Sequence, residues 1–206
     1  MRVLIACEHT GAVRDAFRRL GHAAVSCDLL PIQGDGPHIT GDVLEVLANS
    51  EFDLMIAHPP CTYLCSSGLH WNHRVPGRDA KTAAALDFVR ALMAAPVPRI
   101  CIENPVGRIG TAIRPADQYI QPYQFGHDAS KRTGLWLKNL PLLRPTAHIE
   151  PRMVDGMPRW ANQTDSGQNR LGPSEDRWQK RSATYHGIAE AMAKQWGRLP
   201  AATDSA

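Results

Sequence analysis

Short apolar runs alternate with amphipathic stretches along the first half of the chain. Four of these runs are too short for helices and predict buried strands, at residues 2–6, 23–27, 54–57 and 99–102. Three stretches place apolar residues at helical spacing and predict helices, at residues 11–20, 42–48 and 79–93. Strands that alternate with helices in this way predict an α/β fold with a mostly parallel sheet and helices on both faces.

The second half of the chain is less regular. Residues 105–180 are rich in Pro, Gly, Gln and Arg, and within them only residues 135–137 are predicted to form a strand. Regular structure is predicted to return as a helix over residues 187–196. The chain is therefore predicted to have one core domain, a loop-rich insertion and a flexible tail, at residues 1–138 with 182–197, residues 139–181 and residues 198–206.

The composition is that of an ordinary globular domain. The chain has 206 residues, enough for one sizeable core, and 43% of them are hydrophobic. No apolar run approaches the ~20 residues of a membrane span, and Glu8 and His9 interrupt the first run too soon for a signal peptide. The five cysteines form no disulfide-like framework, which favours a reducing cytoplasm. The net charge of +3 permits nucleic-acid binding without arguing for it.

A cysteine lies just beyond the third predicted strand. Residues 58–68 read His-Pro-Pro-Cys-Thr-Tyr-Leu-Cys-Ser-Ser-Gly, so Cys61 follows two rigid prolines in a loop. In an open α/β sheet, ligands bind in the crevice beyond the strand ends. Two interpretations stay open. Cys61 is a buried small apolar residue, or it is a nucleophile whose thiol pKa is lowered by backbone N–H groups of a helix behind the loop.

An acidic residue follows the fourth predicted strand. Glu103 comes directly after residues 99–102 and precedes Asn104-Pro105. Because Pro105 restricts Asn104 to extended backbone, Glu103 is expected to be held rigidly at the strand end. Its carboxylate either serves as an acid close to Cys61 or caps a neighbouring loop.

Two further acids and one loop bear on a cofactor. Asp28 ends the second predicted strand, where a carboxylate can accept both hydroxyls of a ribose. Asp42 is predicted chiefly as a helix N-cap. The loop 8–11 has a single glycine and lacks the Gly-x-Gly-x-x-Gly phosphate cradle. This loop argues against a dinucleotide and allows a cofactor without phosphates.

A metal site is a weaker interpretation of the cysteine loop. Cys61, Cys65, His70 and His73 are all of ligand type. Only four residues separate Cys65 from His70, however, and structural zinc sites place a longer, folded segment there. No metal is expected.

Together these segments resemble the cytosine-5 DNA methyltransferases, in particular short phage-type or prophage-type members. Pro59-Pro60-Cys61 with Ser67-Gly68 is similar to the Pro-Pro-Cys loop of that family. Glu103-Asn104-Pro105 is similar to its Glu-Asn-Val signature. These two motifs at this spacing are specific, and the resemblance covers about residues 1–140 and 182–197.

Weaker segments follow the same order of motifs. Gly11, Asp28 and Asp42 fall where the family binds S-adenosyl-L-methionine. Two later segments are similar to the family's Gln-x-Arg-x-Arg strand and to its closing helix, at residues 125–137 and 187–193.

The resemblance implies a Rossmann-like methyltransferase fold that uses S-adenosyl-L-methionine, releases S-adenosyl-L-homocysteine and acts on cytosine in DNA. The catalytic residues that it implies are Cys61, Glu103, Lys131 and Arg132. The cofactor-binding residues that it implies are Cys7, Glu8, His9, Thr10, Gly11, Asp28, Leu29, Asp42, Val43, His58 and Pro60. The substrate-binding residues that it implies are Pro59, Ser67, Gly68, Asn104 and Pro105. The expected setting is the cytoplasm of a bacterial host cell, and the expected state is a monomer or weak dimer.

The resemblance also implies a covalent route. The thiolate of Cys61 adds to carbon 6 of the cytosine ring, while Glu103 hydrogen-bonds ring nitrogen 3 and the exocyclic amine. Carbon 5 then takes the methyl group, a base removes the carbon 5 proton, and Cys61 leaves. Lys131 or Arg132 steadies the base carbonyl, and a duplex substrate requires the base to be flipped out.

The chain departs from the family pattern in several places. Residues 7–10 replace most of a glycine-rich cofactor loop, His58 stands where Gly or Asn is common, and Cys65 stands where Ser is usual. Pro105 replaces Val, and no Gln-x-Arg-x-Arg is spelled out. The insertion is far shorter than the target-recognition domain of the family. Its basic residues either contact phosphates or form an ordinary solvated face: Arg152, Arg159, Arg170, Arg177, Lys180 and Arg181.

Three other functions stay open. The first is methylation of a free cytosine nucleotide, a single strand or RNA, because the recognition region is so small. The second is a non-catalytic relative that binds nucleic acid, its cofactor loop having decayed. The third is a thiol hydrolase in which Cys61 works with His58 or His127.

Overall fold

A seven-stranded sheet flanked by helices organises the computed structural model, which describes residues 1–174 and 183–200. Its strands are β1 (Arg2–Ala6), β2 (Ala23–Asp28), β3 (His38–Thr40), β4 (Leu54–Ala57), β5 (Arg99–Pro105), β6 (Gln118–Ile120) and β7 (Thr133–Lys138). The helices are α1 (Ala12–Arg19), α2 (Val43–Asn49), α3 (Ser66–Leu69), α4 (Arg78–Met93), α5 (Arg108–Ala112) and α6 (His186–Trp196). Two 3₁₀ turns span His70–His73 and Pro122–Gln124.

The strand order is β3-β2-β1-β4-β5-β7-β6. The first five strands in this order run parallel, and β7 is antiparallel to both β5 and β6. The chain winds outward in both directions from β1 and β4, so the topological switch point lies between these two strands. The predicted Rossmann-like α/β fold, with a mostly parallel sheet and helices on both faces, is confirmed.

Each face of the sheet carries its own hydrophobic core. Alternate residues of β1 show this division, because Val3 and Ile5 pack on one side and Leu4 on the other. The first core is closed by α1 and α6, with Phe17 and Trp196 fully buried. The second core is closed by apolar residues of α2, α4 and α5: Val43, Leu47, Leu86, Val89, Leu92 and Ile109. Burial of each such large side chain contributes roughly 1.5–3 kcal/mol, which explains why these runs dominate the sequence pattern.

The predicted strands and helices are confirmed, with one difference that matters for the site. Strand β5 continues to Pro105 instead of ending at residue 102, so Glu103 lies within it. The reason is the antiparallel partner β7, which pairs Leu135 with Glu103 and Gly134 with Asn104. Glu103 is therefore held by a strand ladder and not only by the proline after it.

The insertion is more ordered than a loop. Two short strands, β8 (Arg152–Val154) and β9 (Met157–Arg159), form a hairpin. Asp155 and Gly156 join them with φ values of 49° and 74°, as a two-residue turn of this hand requires. The predicted division into core and insertion stays a prediction. Arg177, Lys180, Arg181 and most of the predicted flexible tail lie outside the described residues.

Side-chain hydrogen bonds fasten the insertion beside β7. The amide of Asn162 accepts a hydrogen bond from Ser130 N and donates one to Ser130 O, both at 2.9 Å. Trp160 stacks on Tyr123 with ring centroids 4.3 Å apart.

In residues 1–174 and 183–200, no helix combines the length and the apolar character that a membrane crossing needs.

Candidate active site

Strand register brings two loops and the end of β5 together at one edge of the sheet. Ala6 at the end of β1 pairs with Ala57 at the end of β4, and Ala57 pairs with Ile102 of β5. The loops that follow β1 and β4 therefore leave the sheet beside residues 103–105, which continue β5. They form a cleft whose empty volume, including the part open to solvent, is about 560 Å³. The lining residues are Cys7, Glu8, His9, Thr10, His58, Pro59, Pro60, Cys61, Glu103, Asn104, Pro105, Lys131 and Thr184.

The Pro-Pro-Cys loop is fixed to the end of β5. Buried Asn104 donates from Nδ2 to the carbonyl of Pro59 at 2.7 Å. The carbonyl of Leu64 accepts from Arg108 N at 2.7 Å. A Cβ atom on Gly107 would lie 1.9 Å from that same carbonyl, so only glycine permits this approach. The loop that carries the thiol is thus preorganised against the strand that carries the acid.

The thiol of Cys61 is protonated at neutral pH. A hydrogen bond with Cys65 and burial together raise the pKa of Cys61 above its ordinary value, and Glu103 adds to this effect. The ammonium of Lys131 acts in the opposite direction. Helix α3, whose N–H groups were expected to favour the thiolate, begins only at Ser66 and is one turn long. A nucleophilic Cys61 therefore has to lose its proton during the reaction.

Removing the Cys65 thiol should make Cys61 more reactive. In Cys65→Ala the hydrogen bond to the Cys61 thiol is lost, so the pKa of Cys61 falls and more thiolate is present at a given pH. We expect Cys61 to react several-fold faster with iodoacetamide at pH 8, as measured by peptide mass spectrometry. Cys7, whose burial raises its pKa to about 12, is the internal reference. An unchanged alkylation rate would show that Cys65 does not control the thiol.

Glu103 and His58 form a close pair inside the cleft. Nδ1 of His58 lies 2.7 Å from Oε2 of Glu103, and the two side chains are only 10% and 11% exposed. Burial disfavours the charged form of Glu103, but the hydrogen bond from His58 and the charge of Lys131 outweigh it and lower the pKa of the carboxyl. Burial likewise opposes the charging of His58, yet its hydrogen bond with Glu103 raises the pKa of the imidazole. Both shifts favour the charged forms of the pair, an imidazolium beside a carboxylate.

The loop after β1 presents a carboxylate where phosphate-binding folds present bare N–H groups. Glu8 accepts from Val13 N at 2.8 Å and from Arg14 N at 3.2 Å, so it occupies the amides at the start of α1. A phosphate would meet this buried carboxylate instead of free donors. Cys7, at the position where the family loop is glycine-rich, has a φ of 58° in the left-handed region.

The acids of β2 and α2 lie beside this loop. Oδ2 of Asp28 is 3.9 Å from Nδ1 of His9, and its Oδ1 accepts from Leu30 N. The predicted N-cap role of Asp42 is confirmed, since its Oδ1 accepts from Leu44 N at 2.9 Å. Leu29 is 76% exposed, whereas Val43 is buried in the core below.

The remaining predicted site residues divide between the cleft and its surroundings. Twelve of them line the cleft, and Thr184, ahead of α6, is a lining residue that the sequence did not indicate. The predicted residues outside the lining are Gly11, Asp28, Leu29, Asp42, Val43, Ser67, Gly68 and Arg132. The guanidinium of Arg132 lies 4.3 Å from the ring centroid of Tyr119, whereas Lys131 faces Cys61 and Glu103. Of these two neighbours, Lys131 is thus the one that lines the cleft.

Two of the alternative chemistries find little support in the geometry. Among the described residues, no three His, Cys, Asp or Glu side chains are grouped so as to hold a metal ion. A thiol hydrolase needs an imidazole next to the thiol, but the thiol of Cys61 is hydrogen-bonded to Cys65. Nε2 of His127 instead accepts from Gly187 N at 2.8 Å. His58 directs Nδ1 to Glu103.

Comparison with known proteins yields solved structures of low similarity. No family model matches the chain, and no curated protein matches it. An rRNA methylase from Escherichia coli shares 15% identity at a TM-score of 0.38, over 66% of this chain and 56% of that one. The 16S rRNA methylase RmtB shares 16% identity at a TM-score of 0.32, over 66% and 55% of the two chains.

A third solved structure is the bifunctional kinase-methyltransferase WbdD, with 15% identity at a TM-score of 0.35, over 71% of this chain and 38% of that one. The chain thus spans about half the length of the two rRNA methylases and less of the third protein. Likenesses of this size assign neither a substrate nor an activity to the chain.

Proposed function

We propose that this protein transfers the methyl group of S-adenosyl-L-methionine to carbon 5 of a cytosine in DNA, through a covalent bond between Cys61 and carbon 6. The observation that carries the proposal is the joint placement of Cys61, Glu103 and Lys131 around one cleft. A thiol, a hydrogen-bonded carboxylate and an ammonium are the three groups that addition to a cytosine ring requires. The loop after β4 holds the thiol, and β5, through its pairing with β7, holds the carboxylate.

The cleft suits a cofactor that is cationic and carries no phosphate. The negative charge available to such a cofactor lies near β1 and β2, since Glu103 is paired with His58. Glu8 lines this part of the cleft, and Asp28 and Asp42 lie close enough to Cys7 to add to the effect of burial in raising its pKa. Two buried atoms of residues that line the cleft, Nε2 of His58 and Oδ1 of Asn104, have no hydrogen-bond partner among the described residues. Orphaned polar atoms of this kind are normally satisfied by a ligand or water. These residues fit S-adenosyl-L-methionine, whose sulfonium and amino groups are positive.

S-adenosyl-L-methionine, when bound, supplies an electrophilic methyl group. Carbon 5 of cytosine is a poor nucleophile until a thiolate adds at carbon 6, and Cys61 supplies this thiolate. Lys131 lowers the pKa of Cys61 and so favours its ionised form. Glu103 hydrogen-bonds the ring at nitrogen 3 and passes it a proton as charge builds there. General-acid help of this kind is worth on the order of 10²–10⁴ in rate.

The described part of the insertion lies beside the cleft, and its arginines are hydrogen-bonded within it. The Asn162–Ser130 pairing places the insertion next to Lys131, at the rim of the cleft. Arg152 and Arg159 both contact Asp165, through its carboxylate and its carbonyl respectively. Arg170 donates to the carbonyl of Gln163. These arginines brace the insertion, so the element that meets DNA is a small, internally bonded one.

A side-by-side transfer assay tests the proposal. Protein and labelled S-adenosyl-L-methionine are incubated with duplex DNA, single-stranded DNA, RNA and dCMP, all containing cytosine. We expect label in DNA, released as 5-methylcytosine on digestion. Label only in RNA or dCMP would move the substrate to another cytosine compound. No label, together with no calorimetric binding of S-adenosyl-L-homocysteine at millimolar concentration, would contradict the proposal and favour a non-catalytic nucleic-acid-binding protein.

A further inference from the structure

His58 occupies a position that the chemistry above leaves without a role. It is the first residue after β4, and its N–H donates to the carbonyl of Ala6 at 2.9 Å, which fixes it between β1 and β5. Its ring meets Glu103 through Nδ1 at 2.7 Å. Nε2 of the same ring is buried without a hydrogen-bond partner among the described residues. Among the described residues, Glu103 is therefore the group placed to take a proton from the His58 ring or to return one to it.

We propose that His58 stores the proton that Glu103 delivers to nitrogen 3 of the bound cytosine. This inference rests on the proposed function and assigns His58 as a positioning and proton-storing residue behind Glu103. Glu103 contacts the base, and His58 acts on the base through Glu103.

The proton and charge balance of this step is closed. The thiol of Cys61 first gives its proton to solvent at the open side of the cleft. The resulting thiolate forms a bond to carbon 6, and the electron pair displaced from the ring accumulates at nitrogen 3. The Nδ1–H bond of His58 breaks, the proton passes to the carboxylate of Glu103, and a proton passes from that carboxylate to nitrogen 3. His58 ends neutral, Glu103 ends as a carboxylate, and the adduct carries no net charge. Elimination of Cys61 after methyl transfer returns the proton by the same route.

The charged groups around His58 favour storage of a proton there. Three groups from three separate parts of the fold face the ring: Glu103 on β5, Glu8 in the loop after β1, and Lys131 in the segment before β7. Two carboxylates outweigh one ammonium. Burial opposes the charge, but the hydrogen bond and charge of Glu103 and the charge of Glu8 raise the pKa of His58 above that of a free histidine. The same pairing lowers the pKa of Glu103, so the proton shared by the pair lies on the imidazole and not on the carboxyl.

The pH dependence of His58→Asn tests the proposal. Without the imidazole, Glu103 has to carry the proton alone, and a carboxyl gives up its proton at lower pH than an imidazolium. We expect the single-turnover rate to fall about 10²-fold at pH 8 and much less at pH 6, because Glu103 is protonated from solvent at the lower pH. The control is His148→Asn, which removes the exposed pair of His148 with Glu150 outside the cleft. A loss by the same factor at every pH, or no loss, would overturn proton storage.

A titration that needs no turnover keeps this inference separate from the proposed function. In the intact wild-type protein with ¹⁵N-labelled histidine, we expect His58 to titrate above the ordinary histidine range by NMR. In Glu103→Gln we expect the pKa of His58 to lie below the ordinary histidine range. Burial lowers this pKa, and a neutral amide offsets burial less than the carboxylate does. A normal or lowered His58 pKa in the wild type would overturn the inference even if His58→Asn does not fold. If the wild-type protein methylates no cytosine compound, the proposed function and the role of His58 are both contradicted. If the enzyme is active and His58→Asn lowers the rate equally at every pH, only the role of His58 is contradicted.

Discussion

We expect Cys61→Ala to abolish methyl transfer while the protein still binds S-adenosyl-L-homocysteine. The methyl side chain cannot add to carbon 6, so carbon 5 stays a poor nucleophile and the rate falls by a factor on the order of 10⁴ or more. The fold should be retained because Cys61 is only half-buried and its loop is held by backbone contacts of Leu64 and by Asn104. The measurements are incorporation of labelled methyl groups into DNA and calorimetric titration with S-adenosyl-L-homocysteine.

Trapping the adduct makes this expectation sharper. An oligonucleotide with 5-fluorocytosine cannot lose a proton from carbon 5, so the wild-type protein should remain covalently attached to it after denaturation. Cys61→Ala should form no such complex, and Cys65→Ser, with a hydroxyl beside the nucleophile, should still form it. Methyl transfer by Cys61→Ala at an appreciable rate would disprove the covalent route.

The sequence located the reactive loops because buried parallel strands are continuous apolar runs. The runs at β4 and β5 end where polar residues begin, and in a parallel sheet such ends lie side by side. This reasoning placed Cys61 and Glu103 at one edge. It could not show that β7 extends the ladder to Pro105, since antiparallel pairing with a distant segment leaves no local pattern.

The chemical state of the site depends on side-chain contacts that no sequence pattern shows. The pairing of His58 with Glu103 joins side chains 45 positions apart, and no spacing rule predicts it. The hydrogen bond with the Cys65 thiol raises the pKa of Cys61. The sequence suggested instead a helix whose backbone N–H groups would lower this pKa. The sequence also does not show that Lys131 lines the cleft while its neighbour Arg132 lies over the ring of Tyr119.

The hairpin within the insertion escaped prediction for a different reason. Strands β8 and β9 have three residues each, too few for a periodic signal to rise above the prolines and glycines around them. The turn signal Asp155-Gly156 was present, but one such dipeptide in a long polar segment is not decisive. Its docking through Asn162 and Ser130 is visible only in three dimensions.

Glu103→Gln is the second variant for which we expect a large loss. Glutamine keeps the size of the side chain and can still accept a hydrogen bond from His58, but it cannot take up a proton and pass it on. We expect the single-turnover rate of methyl transfer to fall by about 10²–10⁴. The affinity for S-adenosyl-L-homocysteine should change only a few-fold, because the amide preserves the shape of the cleft.

The control for this variant is Glu190→Gln, which removes an exposed carboxylate paired with Lys194 and Arg19 on the outer surface of α6.

Adduct formation then separates two roles of Glu103. If Glu103 acts on the base, Glu103→Gln slows the appearance of the covalent complex with 5-fluorocytosine DNA as strongly as it slows methyl transfer. If instead Glu103 only holds the cofactor, the variant weakens S-adenosyl-L-homocysteine binding, and saturating cofactor restores the rate. Turnover equal to wild type at every cofactor concentration would exclude Glu103 as the acid.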